Sequence, residues 1–235
     1  MEVKSTMHIY KLDGQEYPSV TTIIHSLGND AIVKWANHLG FKHKDYTKVM
    51  EETSKFGTKV HAALQHEVDD TITTPVEFSD FIEQTQVTSA LGHFRRLMSV
   101  YEYETIFTEK TIISPKLGYA GTLDWLTKIN FKYLMLMDFK TSKMVRFTML
   151  LQLGGYSNLL KEIGYDVDGA AIILVNPKLS TLYPINNIEL QFYAEAFQKL
   201  ADYYKMVWKK EMKPDTDFGN LLKCKASEPN SPLNY

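Results

Sequence analysis

The chain has 235 residues, 44% of them hydrophobic and 23% charged, which is the composition of a globular protein with one domain, alone or with a helical attachment. Its 26 basic and 28 acidic residues give a formal charge of -2, which excludes a histone-like protein that binds nucleic acid over its whole surface but allows a local basic groove. The single cysteine, Cys224, excludes an internal disulfide framework and any four-cysteine zinc or iron–sulfur site built from this chain alone.

The number of cysteines and the lengths of the apolar runs also indicate the cellular location of the protein. One cysteine suits a reduced, intracellular setting. Residues 1–10 lack the apolar stretch of a secretory signal, and the longest apolar runs, such as 133–137 and 170–175, are too short to span a bilayer. We therefore expect a cytoplasmic protein without a membrane partner.

The first part of the chain is predicted to form a hairpin followed by helices. Residues 7–12 alternate loosely and precede Asp13-Gly14, which is typical of a tight hairpin turn. Ser19 is a suitable N-cap for the next segment. The helices of this part are predicted at residues 20–27, 31–39, 53–67 and 78–100, with a lysine-rich loop at 42–48.

The second part is predicted to alternate between strands and helices. Runs rich in β-branched and aromatic residues predict strands at 101–114, 119–129, 133–140, 169–175 and 179–184. Helices are predicted at 144–163 and 188–210, and a loose tail at 213–235. Three consecutive strands, a crossover helix and a further strand predict the α/β (α+β) class, with a central mixed β-sheet flanked by helices.

Asp138 and Lys140 stand at the end of the third predicted strand, on the same face because side chains alternate along a strand. The residues before them are apolar on both faces, as in a central strand, so this acid and base form either a simple ion pair or part of a site. Asp124 interrupts an apolar run of the preceding strand, and a hairpin would place it beside Asp138. Two adjacent carboxylates favour a cation between them, and oxygen ligands suit Mg²⁺ or Mn²⁺ better than structural zinc.

Two predicted helices and one strand carry further candidates. Gly57 and His61 are four residues apart and share a helical face, and the glycine, which costs a helix about 1 kcal/mol, indicates a close approach to a sheet or ligand. Gln152 and Tyr156 share a face in the same way, and Glu109 lies in a predicted strand. Each has an ordinary explanation when taken alone: a packed histidine, a solvent-facing glutamine beside a core tyrosine, or a solvated glutamate.

Taken in chain order, these residues resemble the RecB-type branch of the PD-(D/E)XK nuclease superfamily. The pattern of that branch is G-x-x-x-H on a helix, a strand glutamate, G-x-x-D, D/E-x-K, and Q-x-x-x-Y on a helix. The matching residues of this chain are Gly57 with His61, Glu109, Gly121 with Asp124, Asp138 with Lys140, and Gln152 with Tyr156. The sequence Pro18-Ser19-Val20-Thr21-Thr22, with Trp35 downstream, is also similar to the mitochondrial genome maintenance exonuclease group and its phage and bacterial relatives.

This resemblance implies a restriction-endonuclease-like fold and hydrolysis of DNA phosphodiester bonds with one or two Mg²⁺ or Mn²⁺ ions, and no iron–sulfur cluster. The implied metal ligands are His61, Glu109, Asp124, Asp138 and the backbone carbonyl of Phe139. The implied catalytic residues are Asp124, Asp138, Lys140, which would position or help deprotonate a water, and Gln152. The implied DNA contacts are Thr141, Ser142, Lys143, Arg146 and Tyr156, the last stacking or packing beneath the site.

The resulting hypothesis is a DNA exonuclease that acts on single strands or resects ends in replication, repair or recombination, with a partner protein of such a pathway and a phage or bacterial origin. A structure-specific endonuclease of the same fold and a non-catalytic DNA-binding module are the alternatives. We expect residues 1–52 to be an N-terminal hairpin and helical region that guides DNA, 53–212 the nuclease core, and 213–235 the tail. In the guiding region, Trp35, Phe41 and Tyr46 would stack on bases or pack within a helical subdomain.

Overall fold

The computed structural model describes residues 8–28 and 30–209, with side chains described except at residues 30–32, 34, 35, 208 and 209. The predicted tail, Cys224 and the side chain of Trp35 lie outside this part. Among the described residues, no helix combines the length and the apolar character needed to cross a membrane.

The described chain begins with an antiparallel hairpin of two strands, β1 (Ile9–Leu12) and β2 (Gln15–Pro18). Asp13 and Gly14 form its turn, and both have the positive φ angles that such turns require. Ser19 then caps helix α1 (Val20–His25), because its side chain accepts a hydrogen bond from the backbone N–H of Thr22. The predicted hairpin turn and N-cap are confirmed.

Five helices and five strands follow. The helices are α2 (Asp30–Phe41), α3 (Tyr46–Val68), α4 (Phe81–Met98), α5 (Phe147–Glu162) and α6 (Asn187–Lys209). The strands are β3 (Tyr103–Ser114), β4 (Tyr119–Ile129), β5 (Tyr133–Lys140), β6 (Gly169–Val175) and β7 (Ser180–Asn186). They form one sheet in the order β3-β4-β5-β6-β7, in which β5 and β6 are parallel and the other neighbours are antiparallel. The predicted mixed sheet flanked by helices is confirmed.

Helices cover both faces of this sheet, and the sheet separates two hydrophobic core clusters. On one face, Leu64 of α3 and Phe94 of α4 pack with Trp125. On the other face, Leu153 of α5 and Phe197 of α6 are fully buried in a second cluster. Each such side chain contributes about 1.5–3 kcal/mol when it leaves water. The two-sided cover explains why the central strands are apolar on both faces.

Three helices begin at residues other than those predicted, and for two of them the side chain of an aspartate N-cap explains the start. Helix α3 begins at Tyr46 rather than residue 53, because the Asp45 side chain accepts from the backbone N–H of Thr47. The predicted loop at 42–48 therefore ends inside a helix, and α3 crosses the predicted boundary between residues 52 and 53. Helix α4 begins at Phe81 rather than 78, where Asp80 is the N-cap, and α5 begins at Phe147 rather than 144.

The strands β4 and β5 separate before either one ends. Their ladder runs from Ile129 paired with Tyr133 to Trp125 paired with Met137 and stops there. Beyond that pair, β4 remains hydrogen-bonded to β3. β5 continues to Lys140 and remains paired with β6. The two strands therefore diverge into a fork, which is defined here by Asp124 on β4 and by Asp138 and Lys140 on β5.

Candidate metal centre and adjoining cleft

Asp124 connects three elements at the base of the fork. Its Oδ2 accepts a hydrogen bond from the backbone N–H of Phe139, at 2.7 Å, just past the end of the β4–β5 ladder. The same oxygen lies 3.7 Å from Nδ1 of His61 on α3. The ring of His61 meets the ring of Phe139 edge-on, with centroids 6.1 Å apart. The carboxylate of Asp124 thus contacts both the end of β5 and the imidazole of His61.

Glu109 completes a group of three potential metal ligands. Its neighbours Thr108 and Lys110 pair with Trp125 and Leu123, so Glu109 lies across from Asp124 on the adjoining strand. Its φ of +44° is in the left-handed region, which is rare for a residue with a side chain and is often found at functional sites. One ligand atom from each of His61, Glu109 and Asp124 lies within 4.8 Å of the others. The structure therefore contains a candidate metal-binding group of one nitrogen and two oxygen ligands.

The end of α3 is fastened to β3 close to this group. The hydroxyl of Thr108 donates to Oδ2 of Asp69, the C-cap of α3, at 2.9 Å. The hydroxyl of Thr105 donates to the carbonyl of Val68, and it accepts from Nε1 of Trp125 at 3.0 Å. These bonds hold the helix that carries His61 against the strand that carries Glu109.

The charges around this group favour a cation. Although Glu109 is exposed as a whole residue, desolvation of its carboxylate and then the charge on Asp124 raise its pKa. The three side chains present two carboxylates and a histidine nitrogen, a set that suits a divalent ion. The donor set and the mutual repulsion of its acids therefore fit a divalent metal.

Asp138 lies deeper in the fork and is fully buried. Its Oδ2 forms an ion pair with Nζ of Lys140 at 2.5 Å, yet neither carboxylate oxygen has a partner with hydrogen-bond geometry in the described part of the chain. Because buried polar atoms are nearly always satisfied, these oxygens have unused capacity for a ligand. Burial raises the pKa of Asp138, the charge of Lys140 opposes that shift, and the charge of Asp124 adds to it.

Lys140 keeps its proton in this setting. Burial acts to lower the pKa of its ammonium group, but the negative charges of Asp138 and Asp124 outweigh burial and raise the pKa. The side chain is therefore a cation at neutral pH. It can donate hydrogen bonds and neutralise negative charge in the fork, and it is poorly suited to accept a proton.

Gln152 and Tyr156 lie together on α5 near the fork, where burial and then the charges of Asp138 and Asp124 raise the pKa of the tyrosine. Nε2 of Gln152 donates to the hydroxyl of Tyr156 at 2.9 Å, and the tyrosine is buried. A Cβ atom at Gly121 would lie 2.6 Å from the Tyr156 ring, so only glycine permits this contact. Of the two roles predicted for Tyr156, packing beneath the site agrees with its burial, and it orients Gln152.

A cleft of about 910 Å³ opens beside His61. One wall is the face of α3 formed by Met50, Thr53, Ser54, Gly57, Thr58 and His61. The other wall is the segment after β5 formed by Thr141, Ser142, Lys143, Met144 and Arg146. Among the described residues, two cations and no carboxylate line this cleft, although the whole chain carries a net charge of -2. Four of the five predicted DNA contacts therefore share one surface.

Gly57 allows the two walls of the cleft to approach each other. A Cβ atom at this position would lie 3.3 Å from Oγ1 of Thr141. This close approach was predicted from the cost of glycine within a helix. Lys143 and Arg146 are exposed, and neither forms an ion pair with a described residue.

Most of the predicted site residues fall into four groups: the His61, Glu109 and Asp124 group, the Asp138–Lys140 pair, the Gln152–Tyr156 pair, and the cleft residues Thr141, Ser142, Lys143 and Arg146. His61, Glu109 and Asp124 converge, whereas Asp138 pairs with Lys140 next to them and is not a member of that group. Phe139 contributes a backbone N–H to Asp124, and its carbonyl stays a predicted ligand. The catalytic and ligand roles assigned from the sequence also stay predictions.

Sequence reasoning missed one wall of the cleft and one contact on β4. Met50, Thr53 and Ser54 line the cleft on the same face of α3 as Gly57 and His61. Their spacing of three or four residues from those positions was the available signal. The hydroxyl of Tyr10 lies 2.9 Å from Oγ1 of Thr122 near the fork, and no local pattern indicated that contact.

Comparisons with known proteins do not identify the function of this chain. No protein-family model and no curated protein matches the chain. It is similar to the crystal structure of SSO0001, with 13% identity, a TM-score of 0.42, and coverage of 86% of this chain and 80% of that chain. It is also similar to the crystal structure of LHK-Exo in complex with dAMP, with 12% identity, a TM-score of 0.30, and coverage of 57% of this chain and 77% of that chain. Similarities this low identify neither a family nor an activity.

Proposed function

We propose that this chain is a metal-dependent deoxyribonuclease that hydrolyses phosphodiester bonds at DNA ends. The observation that carries the proposal is that the His61, Glu109 and Asp124 group adjoins both the Asp138–Lys140 pair and a cleft to which the described residues contribute cations but no carboxylate. A structural ion pair alone does not account for a histidine and a second acid converging on the same fork. The sequence resemblance to RecB-type nucleases supports the same activity.

The ligand set suits one or two Mg²⁺ or Mn²⁺ ions. His61, Glu109 and Asp124 would hold the metal, and Asp138 has oxygens without hydrogen bonds beside them. Carboxylate oxygens favour these hard cations. When bound, the metal supplies Lewis-acid stabilisation of the scissile phosphate.

The protein's own side chains would bind and orient the substrate. Lys143 and Arg146, which form no ion pair with a described residue, offer positive charge to the phosphate backbone, and Thr141 and Ser142 line the same cleft. Charge-assisted bonds from such groups fix the position of a strand without reading its sequence. This arrangement supports DNA as the partner of the cleft.

Lys140 would act on the reaction as a cation. In the hydrolysis, a water oxygen attacks phosphorus and releases a proton to solvent, the bond to the leaving oxygen breaks, and that oxygen takes up a proton from solvent. Because the pKa of Lys140 is raised, its ammonium would stabilise the negative charge that builds up on the phosphate. Gln152, which Tyr156 anchors, would orient the attacking water or a phosphate oxygen.

End-labelled oligonucleotides test this function directly. Single- and double-stranded substrates are incubated with Mg²⁺, with Mn²⁺ or with EDTA, and the labelled products report cleavage, polarity and strand preference together. Lys140→Ala should abolish metal-dependent cleavage, whereas Lys132→Ala should not, because Lys132 stands over the Tyr133 ring at the other end of β5. Undiminished cleavage by Lys140→Ala or Asp138→Ala contradicts the proposed mechanism.

A covalently closed single-stranded circle separates an exonuclease from the alternatives. An exonuclease leaves the circle intact while it degrades the same sequence in linear form. Linearisation of the circle would indicate an endonuclease of the same fold. Binding of linear DNA without cleavage in either metal would indicate a DNA-binding module.

A further inference from the structure

Two exposed aromatic side chains and one half-buried one form a cluster where α5 and α6 meet. Phe147 is 57% exposed and Phe192 is 63% exposed. Tyr193 joins them, with ring centroids 6.0 Å from Phe147 and 5.5 Å from Phe192 and ring planes inclined by 71° and 75°. We call Phe147, Phe192 and Tyr193 the aromatic ledge.

The ledge has a rigid base. A Cβ atom at Gly154 would lie 2.3–2.6 Å from backbone atoms of Tyr193 and Ala194, so α5 and α6 are in direct backbone contact here. Such a contact leaves little freedom for either helix to shift. The exposed rings therefore stand on a fixed surface rather than on a mobile loop.

The ledge adjoins the cationic end of the cleft. Arg146 lines the cleft and immediately precedes Phe147 in the chain, and Lys143 lies three residues before Arg146. Neither cation pairs with a carboxylate among the residues of the described structure. Met144, which also lines the cleft, is exposed between them. Positive charge that no described carboxylate pairs and an exposed aromatic ring thus follow each other directly in the chain at the start of α5.

We infer that the aromatic ledge stacks the unpaired bases of a DNA strand whose phosphates are held by Lys143 and Arg146. The inference rests on the proposed function in that DNA must enter the cleft. Cationic side chains beside aromatic rings are the combination by which proteins bind single strands. In a duplex, base faces are covered by their neighbours, so the ledge selects unpaired strands and frayed ends.

A strand of DNA accounts for this surface better than a second copy of the chain. In a symmetric dimer the same patch of both subunits would meet. Lys143 and Arg146 of both copies would then be brought together, and like charges at an interface cost free energy. A polyanion with flat apolar faces has the opposite charge and the matching shape.

Fluorescence anisotropy with three DNA ligands tests the ledge. The ligands are a fluorescein-labelled oligothymidine, an abasic strand of the same length and charge, and a blunt duplex, with Ca²⁺ in place of Mg²⁺ to prevent turnover. The variant Phe147→Ala/Phe192→Ala should bind oligothymidine about tenfold more weakly, or worse, because it loses stacking. Its affinity for the abasic strand should stay unchanged, because the phosphate contacts remain.

The matched control is Phe131→Ala. Phe131 is 67% exposed and lies in the turn before β5, at the opposite end of that strand from Lys140. Its removal should leave the affinity for all three ligands unchanged. Thermal unfolding should also be unchanged in the ledge variant, because the two rings are largely in solvent.

Several outcomes overturn the inference. Equal affinity of the wild-type protein for oligothymidine and the abasic strand excludes stacking, as does unchanged affinity of the ledge variant. A lower sedimentation coefficient of the variant with DNA affinity intact would identify a subunit interface instead. If the wild-type protein shows the predicted binding differences but cleaves no strand in Mg²⁺ or Mn²⁺, the nuclease proposal fails and the ledge stands.

Discussion

Asp138 and Lys140 form the ion pair of the fork. The carboxylate is fully buried, and one lysine compensates its charge at 2.5 Å. Removing one partner of such a pair leaves an unbalanced charge in a poorly solvated place, which costs more than the intact pair contributes. A protein built only for stability would have little reason to keep this pair, which supports a role in function.

Lys140→Met should make the metal-free protein less stable at alkaline pH. Without the ammonium, burial and Asp124 raise the pKa of Asp138 further above its ordinary value. Because the folded-state pKa then exceeds the unfolded-state pKa, stability is fully present in acid and is lost as the pH rises through the folded-state pKa. Urea unfolding in EDTA at about pH 5 and about pH 8 measures this difference.

The double variant Asp138→Asn/Lys140→Met is the control for that measurement. It contains neither charge, so its free energy of unfolding should lack the extra fall between the two pH values. An equal pH dependence in Lys140→Met and in the double variant would contradict the charge balance described for the fork.

At the scale of elements, glycines determine how closely α5 and α6 approach. A Cβ atom at Gly154 would meet the backbone of α6, which cannot move aside as a flexible side chain can. At Gly155 the obstacle is a side chain, the buried ring of Phe197, at 2.9–3.0 Å. The pair of glycines that weakens α5 as an isolated helix therefore allows its packing and the placement of Gln152 and Tyr193.

Gly154→Ala should destabilise the protein by about 1–3 kcal/mol, the usual cost of overpacking. Gly92→Ala is the matched control, because Gly92 lies within α4 with no atom near its Cβ position. There alanine should stabilise the helix, by up to about 1 kcal/mol. Urea unfolding of the two variants should therefore give free-energy changes of opposite sign. A neutral Gly154→Ala would show that the helices can separate without cost.

At the scale of the whole molecule, the candidate metal centre joins parts of the chain that are distant in sequence. His61 comes from α3, Glu109 from β3 and Asp124 from β4. These ligands are together only in the folded state, so an ion that needs all three binds the folded chain alone. Metal binding and folding are then linked by mass action.

Mn²⁺ should therefore raise the free energy of unfolding, by about 2.7 kcal/mol at about one hundred times its dissociation constant. Asp124→Asn should remove most of this effect, whereas Glu195→Gln, which changes an exposed acid of α6, should retain it. The effect should weaken as the pH falls, because the raised pKa of Glu109 lets protons compete with the metal. Equal Mn²⁺ stabilisation of Asp124→Asn would refute this ligand set.

Those features of the site that depend on residues close together in the chain could be predicted from the sequence. The alternation of Asp138 and Lys140, the apolar run interrupted by Asp124, and the helical spacing of Gly57 and His61 all depend on neighbours within a few residues. The left-handed φ of Glu109 was not readable, because glutamate has no local preference for it. The start of α3 at Tyr46 was missed because the Asp45 cap lay inside a lysine-rich segment that indicated a loop.

The sequence by itself determined the order of strands and helices and the identity of the charged residues that the fork contains. Only the tertiary structure decided where the β4–β5 ladder stops, which three ligands converge, and that Phe147 of α5 and Phe192 of α6 both contact Tyr193. The physical reason is the distance along the chain between the residues that interact. Periodicity reflects the backbone geometry and burial of adjacent residues, whereas strand register and helix contacts depend on side-chain packing between segments far apart in the chain.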